Sequence, residues 1–454
     1  MQPHSTDSLN ENKILTGSIS GNFFSLFIPS IVGLLAFSSA SLVDGIFIGN
    51  FVGAQALAAV NLLIPFITIV FGIGYMLAVG GSVRGGKYIG EGQTHKASAV
   101  FSKILMFCVG FAIVMVSLGL TFEEQLYQGL GATPELMPLM SEYFLIRFPF
   151  MIPEMVIIVM YYFVRIDGFA NFSAVGILLA SILNIILDYV FVVEWNWGLT
   201  GAAWATGVAQ ALPLSFFLAY FFFKKRTLRF SFKQTKWFEV LHASFNGLSE
   251  FINETSASIV AFILNWLLIT SVGTDGVAAI TIINYLLFVG IMIIYSISEA
   301  CQVFVSQNFG AKNTQRIKRY LVVTGFACAV TSLVFIASLL GFTEWMVSLF
   351  LDNESTGAAT LAIEYVDVLW PIFLVNGFTI CMSAYLTALH AAKESALIAL
   401  SRGLILPCLF MFLIHTFLPD VSFLWALPLA EALTFLLALV LFTRNLPHKV
   451  ISTS

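Results

Sequence analysis

Charge is what this chain has least of. Only 10% of its 454 residues are Asp, Glu, Lys or Arg, against about a quarter in an average soluble protein. That scarcity excludes a soluble enzyme with an ordinary polar surface. With 59% hydrophobic residues, it also excludes a disordered chain. Basic excess is missing as well: 21 Lys and Arg stand against 25 Asp and Glu, for a formal charge of −4. A nucleic-acid binder working through a basic surface is thereby excluded. Cysteine is sparse, and Cys108, Cys301, Cys328, Cys381 and Cys408 each lie inside an apolar run without metal-ligand spacing. They read as small packing residues rather than ligands or disulfides. The six histidines (His4, His95, His242, His390, His415 and His448) are scattered, which argues against a histidine-rich membrane metalloenzyme. The first twelve residues are polar with no basic n-region, so a cleaved secretory leader is not expected.

Long apolar runs are there in abundance. Twelve are long enough to cross a bilayer at about 20 residues each: roughly 23–50, 56–80, 97–121, 138–164, 169–193, 201–223, 245–269, 278–301, 319–342, 363–389, 395–418 and 423–442. The runs are continuous rather than alternating, which predicts helices and not a barrel. Several exceed the required length, so tilt or bending is expected.

Charge placement then orients the spans. Twenty of the 21 basic residues, including Arg84, Lys103, Arg165 and Arg402, are assigned to one side, and Arg147 alone is left over. The opposite side collects Glu123, Glu124, Glu135, Glu194, Asp275, Glu344, Asp352, Glu354 and Asp420. Both termini are therefore expected in the cytoplasm, with the chain in the inner (cytoplasmic) membrane.

The chain also repeats. A shift of 220 residues lays Val52-Gly-Ala-Gln-Ala-Leu-Ala-Ala-Val60 on Val272-Gly-Thr-Asp-Gly-Val-Ala-Ala-Ile280. The same shift lays Tyr88–Lys96 on Asn308–Arg316, and a shift of 221 to 223 lays Trp204 on Trp425 and Tyr162 on Tyr385. The fold class expected is all-α: twelve transmembrane helices as two homologous six-helix lobes around a central cavity. Six spans per lobe keep both lobes in one orientation, as in parallel-repeat transporters. The expected division is a tail over 1–20, a first lobe over 21–224, a basic linker over 225–240, a second lobe over 241–443 and a tail over 444–454. The linker region alternates bases with Leu228, Phe230 and Phe232. That pattern fits an ordinary cytoplasmic loop or an interfacial, lipid-touching one.

Eight acids fall inside the spans away from their ends: Asp44, Glu154, Asp188, Glu250, Glu254, Glu299, Asp367 and Glu431. An acid near the centre of a spanning helix costs roughly 2.5–3.5 kcal/mol on insertion scales, so these must face the bundle interior or a wet cavity. Only Arg147 is available at depth as a partner, and the repeat places it opposite Asp367. Carboxyls without bases suit coupling to a proton or cation, and an organic cation as cargo. Asn184 and Asp188 share a helix face, as do Thr206 and Gln210, and Glu250 and Glu254. The oxygens of Asp44, Asn184, Asp188 and Thr206 could hold sodium, or the acids could share one proton. A polar cluster that merely glues helices is the competing reading. Pro29 lies in the first span, where a missing backbone donor bends a helix.

These residues resemble the multidrug and toxic compound extrusion (MATE) family, of bacterial type, over essentially the whole chain. Asp44 in Ser41-Leu-Val-Asp-Gly-Ile-Phe-Ile-Gly49, after a first-helix proline, is similar to that family's first-helix aspartate. Asn184-Ile-Ile-Leu-Asp188 resembles its fifth-helix pair, and Gly201-Ala-Ala-Trp-Ala-Thr206 the start of its sixth helix. Val52–Val60 and Gly310-Ala-Lys-Asn313 resemble its loop signatures. In the second lobe Glu254 and Asp367 resemble acids of a second cation site, with the choice between Glu250 and Glu254 open. Glu431 takes the place of Gln210, whereas Leu264 and Leu404 face Asp44 and Asn184 across the repeat, so coupling is expected to be asymmetric.

The resemblance implies an antiporter, not an enzyme, exporting amphipathic and often cationic drugs or dyes in exchange for H+ or Na+. The proton is favoured, and no cofactor is expected. Gln210, Glu154, Arg147 and Glu299 are further cavity candidates. The partners expected are small molecules and the lipid bilayer, with no nucleic acid, and the chain is expected to act as a monomer. A major-facilitator transporter is the nearest rival, but Gly80-Gly-Ser-Val-Arg-Gly-Gly-Lys-Tyr-Ile-Gly90 lacks that group's loop Asp. A lipid-linked oligosaccharide flippase would need cavity bases, for which only Arg147 and Arg402 offer themselves. An integral membrane enzyme is the remote alternative.

Overall fold

A computed structural model describes residues 12–348 and 356–453. Asp352, Glu354 and His4 lie outside the described residues. Eleven described helices are long and apolar enough to cross a membrane, and a twelfth is a bent pair. In chain order they are α1 Ile19–Val52, α2 Ala54–Gly90, α3 Thr94–Thr121, α4 Met137–Ile166, α5 Ala170–Glu194, α6 Gly198–Phe222, α7 Leu248–Ser271, α8 Thr274–Gly310, α9 Thr314–Gly341, α10 Gly357–Leu369 with Ile372–Ala388, α11 Ala392–Phe417 and α12 Phe423–Ile451. The two parts of α10 meet at an angle of 56°. Pro371, which lacks the donor a continuous helix needs there, caps the second part.

Several helices outrun the apolar runs. α2 and α8 have 37 residues each, so Arg84 and Lys87, expected in a loop, sit on the last turns of α2. Large side chains such as Phe262, Val322, Phe326 and Leu333 are about 70% exposed on α7 and α9. In water this would be an aggregation hazard; in a bilayer it is the outer surface.

The sequence repeat is written into the backbone. Gly53, between α1 and α2, has φ +126°, and Gly273, between α7 and α8, has φ +93°. They are 220 residues apart. Glycine fits there because a Cβ disfavours left-handed φ. Gly92 and Lys312, and Gly168 and His390, pair in the same way at positive φ.

The described residues resolve into two compact units: Phe24–Gly247, and Asn12–Phe23 with the described residues from Leu248 onward. The unit boundary at Gly247 lies beyond the end expected for the linker. The reason is a row of bonds that lay the linker on the first unit. Thr227 N donates to Asp167 Oδ2 at 2.8 Å, Arg229 N to Ser98 Oγ at 3.1 Å and Ser231 N to Ser102 Oγ at 2.9 Å. Lys103, expected among the loop bases, is 1% exposed and donates to Thr235 Oγ1 at 3.0 Å. A helix over Phe238–Asn246 then crosses α2 so closely that a Cβ on Gly80 would strike the Ala243 carbonyl.

The second unit clasps its amino-terminal segment. Arg316 Nη2 donates to the carbonyls of Ile14 (2.9 Å) and Gly17 (2.7 Å). Asn12 Nδ2 donates to Gln307 Oε1 at 2.9 Å. All five cysteines are free, with Cys328 and Cys381 in contact at 3.3 Å.

Candidate functional site

The first unit encloses a cavity of about 400 Å³, within the range of small-molecule sites. Its walls come from α1, α2, α4, α5 and α6. Among the lining residues are Asp44, Asn184, Thr206, Gln210, Arg147 and Glu154. Aromatic lining is supplied by Phe37, Phe71, Tyr75, Tyr143, Tyr161 and Tyr162. Among these tyrosines the sequence marks only Tyr162, through the repeat and not as a site residue; Tyr143, one turn before Arg147, carries the one usable signal for a site.

Four residues expected to form a site are brought together here. Thr206 Oγ1 donates to Asp44 Oδ1 at 3.1 Å. The Asp188 carboxyl lies beside Asp44. Asp188 is completely buried, and its carboxyl oxygens have no partner besides the Asp44 carboxyl. One turn earlier Asn184 is 2% exposed, and its Nδ2 also lacks a partner. Two adjoining carboxyls, one of them fully buried, repel each other when both are ionised, and a proton or cation between them relieves that repulsion. Oxygens of a hydroxyl, an amide and two carboxyls make a donor set suited to a hard cation.

Local backbone helps to place both acids. Asp44 stands four residues before a π-helical turn, Ile48–Val52, and Asp188 immediately before another, Tyr189–Glu194. The two turns touch. Such turns widen a helix by one residue and re-aim the side chains around them. Pro29 lies within α1. Next to it Ser30 Oγ donates to Leu26 O at 2.7 Å and accepts from Arg165 Nη2 at 2.6 Å. Arg165, assigned from sequence to the aqueous side, is 2% exposed.

Arg147 and Glu154 require a correction. The expected partner of Arg147 was Asp367, but its Nη2 donates to Glu154 Oε1 at 2.6 Å. Both lie on α4, on either side of a 3-10 turn at Phe148–Phe150, and their spacing of two helical turns puts them on one face. Asp367, on the second unit's α10, is exposed.

The second unit sorts its acids differently. Arg402, also expected at the aqueous side, sits in a π-helical turn, Ser401–Ile405, within α11. Its Nε donates to Glu431 Oε1 at 2.5 Å, and Asn376 Nδ2 donates to the same oxygen at 2.9 Å. Glu431 is thus already neutralised by a base, contrary to the expectation of acids without partners. Glu250 accepts from Gln302 Nε2 at 3.1 Å and lies within electrostatic reach of Glu254 and Glu299. Glu299 is 9% exposed and Glu254 is on an exposed face.

Comparison with known proteins adds the family. The MatE family model matches residues 29–190 and 251–413, one stretch in each half of the sequence repeat. The multidrug export protein MepA of Staphylococcus aureus (strain NCTC 8325 / PS 47) is 24% identical over 420 residues, 91% of each chain. That of Staphylococcus haemolyticus (strain JCSC1435) is 24% identical over 418 residues, 91% of this chain and 90% of the other. A solved outward-facing conformation of a multidrug resistance MATE family transporter superposes with a TM-score of 0.87 at 23% identity over 99% of both chains. At that identity the superposition speaks for the fold.

Proposed function

The chain belongs to the MatE family of membrane transporters, and on that footing we propose that it is a secondary antiporter exporting amphipathic organic cations. The observation that carries this reading is the Asp44–Asp188 pair, an ionisable couple with no base bonded to it, of which Asp44 lines an aromatic cavity and Asp188 lies buried behind it. A proton or sodium ion on the pair and a cationic drug in the cavity compete for the same negative charge. Loading the pair from outside weakens the hold on cargo; unloading it inside restores that hold. For the ion gradient to drive export, each ligand must bind the inward and outward states with different affinity.

The cavity's size suits a drug-like molecule. Its tyrosine and phenylalanine faces attract cations through their ring quadrupoles. Among the described lining residues Arg147 is the one base, and it is engaged by Glu154, which weighs against an anionic lipid headgroup as cargo. The second lobe fits a structural partner with a different internal charge arrangement, since Arg402 neutralises Glu431. The expected placement, an inner membrane with both termini cytoplasmic and a monomeric chain, belongs to this proposal.

The test is ethidium efflux from proteoliposomes under an imposed pH gradient or sodium gradient, one at a time. One gradient should drive efflux, and Asp44→Asn should abolish it while leaving the thermal transition of the purified protein in place. Undiminished efflux by Asp44→Asn, or no response to either gradient, overturns the proposal.

A further inference from the structure

The segment between α6 and α7 carries a run of bases for which export by the cavity has no use. Lys224, Lys225, Arg229, Lys233 and Lys236 are all exposed, and among the described residues none of them is paired with a carboxylate. The acids nearest in the fold are already engaged. Glu239 accepts from Arg84 and Tyr88, and Asp167 accepts from Tyr220 Oη at 2.6 Å and from Thr227 N. Five positive charges on one short segment are therefore open to a partner from outside the chain.

The bonds that hold the segment also set its depth. Its extended backbone presents alternate N–H groups, those of Arg229 and Ser231, to Ser98 and Ser102 on α3. α3 has 28 residues, so it is about 42 Å long against a hydrocarbon core of about 30 Å. Ser98 and Ser102 stand about one and two turns from its start, which is where the helix passes from headgroups into hydrocarbon. Lys103 directs its buried ammonium to Thr235 and lies 5.6 Å from the centre of the Trp237 ring. The segment is thus strapped along the flank of the first unit at headgroup level instead of looping out into water.

Its outward side chains suit that depth. Phe222, the last residue of α6, is 85% exposed, and Phe232 and Trp237 follow it on the surface. The helix over Phe238–Asn246 turns Val240 and Ala243 inward and leaves Phe238, Leu241 and Phe245 exposed. Those three are spaced as one helix face. A helix bathed in water would carry polar residues there. Aromatic rings beside lysines are the pairing found at the boundary between headgroups and acyl chains.

We infer that this segment and the helix after it form a docking surface for anionic phospholipid, with the five bases meeting phosphate groups and Trp237, Phe238 and Phe245 meeting the upper acyl chains. The surface stands apart from the cavity and does not depend on what the cavity carries.

The test uses the full chain in phosphatidylcholine vesicles holding a minor fraction of phosphatidylglycerol, with bromine in the acyl chains of one lipid or the other. Bromine quenches tryptophan at contact, and the difference in fluorescence between wild type and Trp237→Phe isolates Trp237. Per mole, brominated phosphatidylglycerol should quench that difference about fivefold more effectively than brominated phosphatidylcholine, the size of one favourable base contact at an anionic surface. In 1 M sodium chloride, where charges are screened beyond about 3 Å, the preference should fall towards one. Lys233→Gln with Lys236→Gln should lower it at low salt while keeping the thermal transition. Trp237 fluorescence insensitive to both brominated lipids, the result expected if the bases serve an acidic soluble partner, overturns the proposal. Equal quenching by the two lipids, or a preference that salt does not lower, overturns it as well. The salt comparison needs no lysine variant, so poor folding of the double variant leaves the outcome decisive.

Discussion

Thr206 Oγ1 and Asp44 Oδ1 are 3.1 Å apart across 162 positions of sequence, and this bond joins α6 to α1 at the candidate coupling site. The same hydroxyl lies 3.0 Å from Ala202 O, so its single proton is shared between the carboxyl and the backbone carbonyl. Thr206→Ala removes one hydrogen bond to a carboxyl, worth about 1.5–3 kcal/mol when that group is charged. The expected result is a fall of about tenfold in the efficiency of ion-driven efflux, smaller than the loss in Asp44→Asn. Initial efflux rates at several gradients check this.

Arg402 and Glu431 form a buried pair in the second lobe with a side-chain exposure of 16% and 9%. Removing one member strands the other, which typically costs about 3–5 kcal/mol. Arg402→Ala should therefore lower the thermal midpoint in detergent sharply. Arg402→Met with Glu431→Leu, which strands nothing, should recover most of it. If the single and double variants melt alike, the pair does not hold the lobe together.

Glu239 lies outside the spans, on the helix that follows the linker. Burial works against its charge, but bonds from Arg84 and Tyr88 outweigh that and hold its pKa below the usual 4.5. A carboxyl depressed on folding adds stability above its unfolded pKa. That stability is lost as pH falls through the folded value. Wild type should therefore lose stability below about pH 4.5 more steeply than Glu239→Gln, and the two should run parallel once both Glu239 pKa values have been passed. Melting curves between pH 3 and 7 provide the comparison.

Gly80 and Gly247 bring two backbones into direct contact: a Cβ on Gly80 meets the Ala243 carbonyl, and one on Gly247 meets the Met76 carbonyl. Neither obstacle is a flexible side chain, so either alanine variant must displace a helix. Overpacking of this kind costs about 1–3 kcal/mol and sometimes more. Gly110, with nothing within 4 Å of its added Cβ, is the control. Gly110→Ala should be neutral or slightly stabilising, while Gly80→Ala and Gly247→Ala should lower yield and thermal midpoint.

Much of the site was legible in sequence for one reason: a carboxyl in an apolar run is costly, so Asp44, Asp188, Glu154 and Glu431 stand out without any knowledge of contacts. The i, i+4 spacing of Asn184 and Asp188 put two of the polar residues on one face. What could not be read was which acids have partners. Arg165 and Arg402 each lie near enough to a turn or span end to pass for an aqueous residue, and the repeat matches Arg147, read at depth, with Asp367 instead of Glu154. Their fates depend on Glu154 two turns further along α4, on Ser30 beside Pro29, and on Glu431 facing a π-helical turn. None of these has a reliable one-residue signature.

The sequence by itself determined the span count, the two-fold repeat and the family, because those rest on hydropathy and order along the chain. Even the positive-φ turns at Gly53 and Gly273 follow from the 220-residue repeat. Only tertiary structure decided how the buried charges are divided. Glu154 and Glu431 each receive a guanidinium, whereas Asp188 has no partner besides the Asp44 carboxyl. The physical reason is range. Hydropathy sums over neighbours in the chain, but the cost of a buried carboxyl is set by atoms within a few ångströms that come from other helices.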